Sequence, residues 1–357
     1  MRLIEETIES IKPAYEDVIK EAWLRIDSLT KPLGSLGELE EIAAKMAGIT
    51  GKIHNKIDKK SVVIMCADNG VCDEGVSNCP QDFTVTITNN LTRGITGVCT
   101  LARFANSDIT VVDVGVKGEF NNPKIIDKKV AYGTKNIVKE AAMTREEAIQ
   151  AIEAGIEIVD KLAKEGYNLL GTGEVGIGNT TTSSAVLSAL SGLSADAVVG
   201  KGSGLTEEQF QNKKAVVQRA IDVNKPNKED VIDVLSKVGG FDIAGLCGCF
   251  LGAAKNRIPI VIDGIISSAA ALCAYRLNNY AKDFMFPSHL SAEPGVVYIA
   301  KELGVNPMLN LRMRLGEGSG CPLAFNIIES ALYTMDNMAT LEEATIDGSC
   351  LVDIREK

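Results

Sequence analysis

Histidine and tryptophan are nearly missing from this chain of 357 residues, which has two of the first, His54 and His289, and one of the second. With so few histidines, and nine cysteines that form no C-x-x-C pair, a cysteine–histidine zinc site is not expected. No apolar run approaches the ~20 residues of a membrane helix, so no membrane partner is expected. The opening MRLIEETIES is acidic and amphipathic, without the apolar core and small-residue cleavage site of a signal peptide. Basic residues are outnumbered, 37 Lys and Arg against 47 Asp and Glu, for a formal charge of −10. That excludes a nucleic-acid partner as the expectation, because phosphate backbones are held by Lys/Arg surfaces. An anionic ligand must then be caught by local groups, not by the overall field. Also absent are a Walker lysine loop, a Ser–His–Asp constellation, an H-E-x-x-H helix and the paired-acid loop that binds pyrophosphorylated ribose with magnesium.

Apolar content of 45% with 24% charged residues is that of an ordinary globular protein, and the length suffices for one large core or two modest ones. Most cysteines lie in apolar runs such as VIMCA and ALCAY, where they read as core packing and as the reduced thiols of a cytoplasmic protein.

Residues 4–24 carry Ile4, Ile8, Ile11, Ala14, Val18 and Ala22 at helical spacing and predict one amphipathic helix. The turn-rich DSLTKPLGSLG follows, then a second helix over 38–49. From residue 61 the texture changes to short β-branched runs alternating with helical patterns: 61–67, 108–115, 166–173, 258–264, 283–288 and 307–313. Continuous apolar strands separated by helices predict a parallel sheet covered on both faces. The tail, Cys321 to about Met338, is helical again and is expected to pack with the N-terminal pair. The fold class is thus doubly wound α/β, with a mainly parallel six-stranded sheet, helices on both faces and a small helical domain. The expected division is 1–58 with 322–357 for the small domain and 59–321 for the large one.

In such a sheet the ligand lies beyond the carboxyl ends of the strands. That rule gathers ADNG (67–70), GTGEVGIGN (171–179), DG (263–264), SHLSAEPG (288–295) and RLGEGSG (314–320) along one rim. Read literally, Gly171 to Gly176 is a G-x-G-x-x-G string, the signature of a dinucleotide site. Its mid-chain position speaks against that, as do Glu174 where a pyrophosphate would pass and a glycine loop after the next strand-like piece, DAVVG (196–200). The second half of the loop reads better. Gly176, Gly178, Asn179 and Thr180 lead into a helix whose start favours one anionic group. The loop GKGSG, with Gly202, Ser203 and Gly204, offers a second nest of amides, and NKK (212–214) opens the next helical run with Lys213. Two nests and a lysine suit a monophosphate, although tight turns alone also use such glycines.

Glu317, between Gly316 and Gly318, has little to gain from packing or helix propensity. It reads as a general base with a raised pKa, against the plainer reading of a solvated turn glutamate. Glu174 and Glu317 share the rim, and two carboxylates in one pocket push their titrations apart. His289 reads as structural, while Ser291 and the helix start after Pro294 suit a second small anion such as a carboxylate. Cys79, Pro80, Phe83 and Ile87 suit a flat pocket for an aromatic ring, or the core.

Taken together, DSLTKPLGSLGELE, EGVSNCPQ, GEVGIGNTTT, DVLSKVGGFDIAGLCG, DGIISSAAAL, SHLSAEPG and MRLGEGSG resemble the nicotinate-nucleotide–dimethylbenzimidazole phosphoribosyltransferase family, in order along nearly the whole chain. The resemblance implies a homodimer that moves 5-phosphoribose from nicotinate mononucleotide to a benzimidazole nitrogen, giving an α-ribotide for the lower ligand of cobalamin, with no cofactor and no metal. It implies that Glu317 takes the acceptor's proton. Beside that, our own reading has Glu174 point towards the ribose, where positive charge develops as the bond to nicotinate loosens. The resemblance also implies a phosphate held around Gly176, Gly202, Gly204 and Lys213, and nicotinate leaving near Asn179, Thr180 and Ser291. The acceptor is implied to lie against Cys79, Phe83, Thr86, Ile87, Val175 and Leu315. The chain departs from the family at Asn69, where many relatives have histidine, at Thr86 and Ile87, where some have a glutamine near the ring, and at Val175, where leucine is common. These changes leave the acceptor open between benzimidazoles, purines and phenols. A nicotinamide-dependent oxidoreductase and a non-catalytic nucleotide-binding regulatory protein stand as alternatives.

Overall fold

The run Lys60–Ala67 is buried along its whole length, and only a central strand offers cover on both faces. A computed structural model describes residues 1–202 and 204–355. In it this strand, β1 (Lys60–Ala67), is joined by β2 (Asp108–Gly115), β3 (Ile125–Asp127), β4 (Leu169–Val175), β5 (Ile260–Ile262) and β6 (Met285–Pro287). The order is β3-β2-β1-β4-β5-β6, and every neighbouring pair is parallel. The chain winds outward from β1 in one direction and from β4 in the other. The connections that leave their carboxyl ends therefore part in opposite directions and open a crevice above the two paired strands.

Strand alternation sorts the two faces. Met65 of β1 lies under Gly245 of the helix Phe241–Lys255, which packs on the helix Arg145–Lys164. The opposite face is covered by the helices Phe83–Thr92, Gly97–Phe104 and Cys321–Asn337. The first pair cross so closely that their backbones touch. A Cβ on Gly155 would collide with the Gly245 carbonyl, and one on Gly248 with the Ile152 carbonyl. Gly155→Ala should therefore lower stability by about 1–3 kcal/mol, as overpacking does. An unchanged midpoint in denaturant would show that the helices have room to part.

Several expectations need correction. The single helix over 4–24 is two, Leu3–Ser10 and Glu16–Asp27, because Pro13 cannot continue an α-helical ladder. Leu3–Ser10 packs on the Arg145–Lys164 and Phe241–Lys255 layer, while Glu16–Asp27, Glu38–Thr50 and Cys321–Asn337 pack in sequence against one another. One continuous apolar cluster runs through all of these and the sheet. The piece 307–313 is no strand: only Leu309 bridges His289 beyond β6, and Leu311 is exposed. The edge strand β3, three residues in a lysine-rich surround, was not expected. DAVVG is a short helix, Ala195–Val198. The helix holding Lys213 is Glu207–Asn224, begun at the Thr206 cap, so Lys213 lies inside it and not at its opening.

Among the described residues no helix is long and apolar enough to cross a membrane. Cys66, Cys99, Cys247, Cys249, Cys273 and Cys321 are buried, and burial pushes the Cys273 thiol up to about 12.

Candidate active site

One cavity lies over the carboxyl ends of β4, β5 and β6. Glu174 is the penultimate residue of β4, not part of the loop after it, and it is buried. Its side chain projects to the face of the helix Phe241–Lys255, where Asp242 stands in the first turn. The Asn179 side-chain amide serves both carboxylates, donating to Glu174 Oε2 and, at 3.1 Å, to Asp242 Oδ2. Burial, and next the charge of Asp242, hold Glu174 well above the usual carboxylate range. Burial likewise brings Asp242 up to about 6.

Glu317 approaches from the other face. Gly316, Glu317 and Gly318 have φ of +82°, +60° and +86°, three left-handed residues in a row, which for a glutamate costs about 1–2 kcal/mol. Asp263, just past β5, holds this turn by accepting from the N–H groups of Gly318 at 3.1 Å and Gly320 at 2.8 Å. A glycine is needed at 173 because the backbone of Glu317 rests on it, and at 318 because its own Cβ would meet Gly173 Cα at 2.9 Å. The Glu317 carboxylate reaches the start of the helix Gly97–Phe104, where Oε2 accepts the Val98 N–H at 3.3 Å. Burial raises its pKa; the Val98 bond and the Thr96 hydroxyl moderate the rise by favouring the ionised form. It is thus no solvated turn residue. His289, which also lines the cavity, has its Nδ1 2.9 Å from the Ser288 hydroxyl and 3.8 Å from Asp263 Oδ1, beside the same turn.

The opposite end of the cavity carries positive charge. Lys213 is fully buried, and its Nζ donates to Thr180 Oγ1 at 2.8 Å. Among the described residues no carboxylate forms an ion pair with it, and burial, opposed in part by the charge of Glu293, lowers its pKa to about 8. Gly202 lies beside it, with φ +55° and its N–H donating to Glu293 Oε1 at 2.9 Å. Gly178, at φ +92°, turns the chain from β4 into the helix Asn179–Ser191.

Of the residues singled out from sequence, Glu174, Glu317, Gly176, Gly178, Asn179, Thr180, Gly202, Lys213, Ser291, Cys79, Phe83, Ile87, Val175 and Leu315 line this one cavity. Gly204 does not line it; its carbonyl accepts from Asn78 on the outside. Thr86 is also outside, exposed and turned about 100° from Ile87 by the helix, its hydroxyl donating to the Asp82 carbonyl. Ser203 lies outside the described residues. Gly171 and Gly173 are strand residues: a Cβ on Gly171 would meet Cys321 Cβ at 2.6 Å. The G-x-G-x-x-G string is therefore a packing feature and not a dinucleotide loop.

The comparisons with known proteins agree along the whole chain. A family model described as phosphoribosyltransferase matches residues 11–346. A nicotinate-nucleotide–dimethylbenzimidazole phosphoribosyltransferase of Clostridium tetani is 64% identical over 358 aligned residues, spanning 100% of this chain and 99% of the relative. The chain belongs to the nicotinate-nucleotide–dimethylbenzimidazole phosphoribosyltransferase family. A member from Clostridium acetobutylicum is 55% identical across 96% of this chain and 98% of its own. The crystal structure of CobT from Thermus thermophilus superposes with a TM-score of 0.89 at 38% identity, covering 93% of this chain and 99% of that one.

The protein is thus a phosphoribosyltransferase, and the oxidoreductase reading is withdrawn. Reading the residues of this phosphoribosyltransferase singly missed Asp242, Glu293 and the amide of Val98. Asp263 stood in the rim motif DG without a role. Nothing local marks Asp242, since GGFD becomes a site residue only through the helix that carries it to Glu174.

Proposed function

We propose that this enzyme transfers 5-phosphoribose from nicotinate mononucleotide to 5,6-dimethylbenzimidazole or a related base of a cobalamin lower ligand, with Glu317 as general base. The observation that carries this reading is the polarity of the cavity. At one end is a buried ammonium with no ion-pair partner among the described residues, and at the other a restrained carboxylate. A phosphate suits Lys213, Thr180 and the Gly176–Gly178 turn. The nicotinate ring then extends toward Ser291 and the acceptor toward Phe83, Ile87, Val175 and Leu315.

In the reaction the C1′–N bond breaks with its electron pair going to the pyridinium nitrogen, which leaves as neutral nicotinate ring nitrogen. An acceptor nitrogen forms the new bond on the opposite face of the ribose, and Glu317 takes the proton from the acceptor's other nitrogen. Glu174 faces the ribose. In the empty cavity burial and Asp242 favour its protonated form, whereas an arriving pyridinium favours the carboxylate, which then stabilises positive charge developing on the sugar. Holding donor and acceptor in line supplies much of the rest. Assembly as a homodimer in the cytoplasm belongs to the same proposal, and sedimentation velocity checks the dimer.

Incubation with nicotinate mononucleotide and a panel of dimethylbenzimidazole, benzimidazole, adenine and a phenol tests the activity by chromatography. Nicotinate release with a new ribotide is expected; no release with any acceptor by folded protein sinks the reading. The pH profile of kcat/KM should be bell-shaped. Its acid limb lies above the ordinary carboxylate value, because Glu317 must be ionised to accept a proton and burial raises its pKa. Its alkaline limb lies near 8, where Lys213 loses its charge. A profile flat from about pH 5 to 9 would remove both residues from the mechanism.

A further inference from the structure

Glu293 stands where an anionic ligand would compete with it. Its Oε1 accepts the Gly202 N–H at 2.9 Å, while Oε2 is buried with no hydrogen-bond partner among the described residues. That oxygen packs against Gly200, where a Cβ would collide with the carboxylate. Its negative charge acts on Lys213, opposing the lowering of the ammonium pKa by burial. Glu293 itself belongs to the 288–295 loop, its N–H donating to Ser291 Oγ at 3.4 Å. A side chain from one rim loop thus fills the amide of another beside the buried lysine.

We propose that Glu293 is an internal competitor for the phosphate position, its carboxylate holding the Gly202 amide in the empty enzyme and leaving when a phosphate binds. This rests on the reading of Lys213 and Gly202 as the phosphate site. The device makes Glu293 a specificity-determining residue. A ligand without a phosphate does not displace it, and a bound phosphate is released as the carboxylate returns. A site open about one-tenth of the time binds roughly tenfold more weakly than one always open.

Inorganic phosphate, titrated calorimetrically into the full-length enzyme, is the probe. Glu293→Gln keeps an oxygen for the Gly202 N–H but removes the charge, and phosphate Kd should fall roughly tenfold. Gly200→Ala reaches the same end without altering any charged group, since its Cβ excludes the carboxylate from its seat, and Kd should fall in the same direction. Lys213→Met should abolish phosphate binding. If Lys213→Met loses binding while both other variants bind phosphate as the wild type or more weakly, the role of Glu293 is overturned and the phosphate site stands. If Lys213→Met binds phosphate unchanged, the phosphate site itself is wrong, and the competition falls with it.

Discussion

Glu317→Gln lowers kcat by about 10²–10⁴-fold, the range expected when a general base is lost, while donor affinity stays within a fewfold of wild type. The substitution is nearly isosteric and keeps an oxygen to accept the Val98 N–H, so the left-handed turn held by Asp263 stays in place. What it removes is the ability to take the acceptor's proton. Single-turnover nicotinate release with saturating acceptor measures the effect, and calorimetry measures donor binding. A kcat within a fewfold of wild type would show that the proton leaves by another route. A loss confined to donor affinity would make Glu317 a binding group.

Lys213→Met raises the Kd for nicotinate mononucleotide by about 10²–10⁴-fold, since leaving one partner of a buried ion pair unmatched costs about 3–5 kcal/mol. The empty enzyme should respond in the opposite sense. Its ammonium is fully buried against a single hydroxyl, and that cost disappears with the charge, so the variant's Tm is expected to equal or exceed that of wild type. The pH dependence separates charge from shape. Wild-type donor affinity falls as pH rises through about 8, because the ammonium that attracts the phosphate is deprotonated there, whereas the variant has no such limb. Equal affinity in the two proteins would remove the phosphate from this end of the cavity.

Strand alternation explains how the two glutamates stand to each other. β4 turns Glu174 to the face of Asp242 and leaves Gly173 on the other face, under the backbone of Glu317. They share a cavity because the turn that carries Glu317 rests on Gly173, next to Glu174 near the end of β4, but the carboxylate that most raises Glu174 is Asp242. The sequence pattern had no means to show this, because it ended the strand at residue 173 and placed Glu174 beyond it, whereas β4 runs to Val175.

The sequence by itself determined the sheet class, the rim on which the cavity lies and many of the residues that line it. Apolar strand runs, glycine punctuation and helix caps are local, and strand ends in a parallel sheet converge on one edge wherever the helices run. Family motifs along the whole chain carried the reaction. What only the tertiary structure decided depends on contacts far apart in the chain. These are the Asp242 charge beside Glu174, the Asp263 clamp on the Glu317 turn, the burial that lowers the Lys213 pKa, and the Glu293 carboxylate on the Gly202 amide. Each is a matter of which charge is desolvated and what faces it, and no spacing along a chain fixes that, because desolvation is set by everything packed around the group.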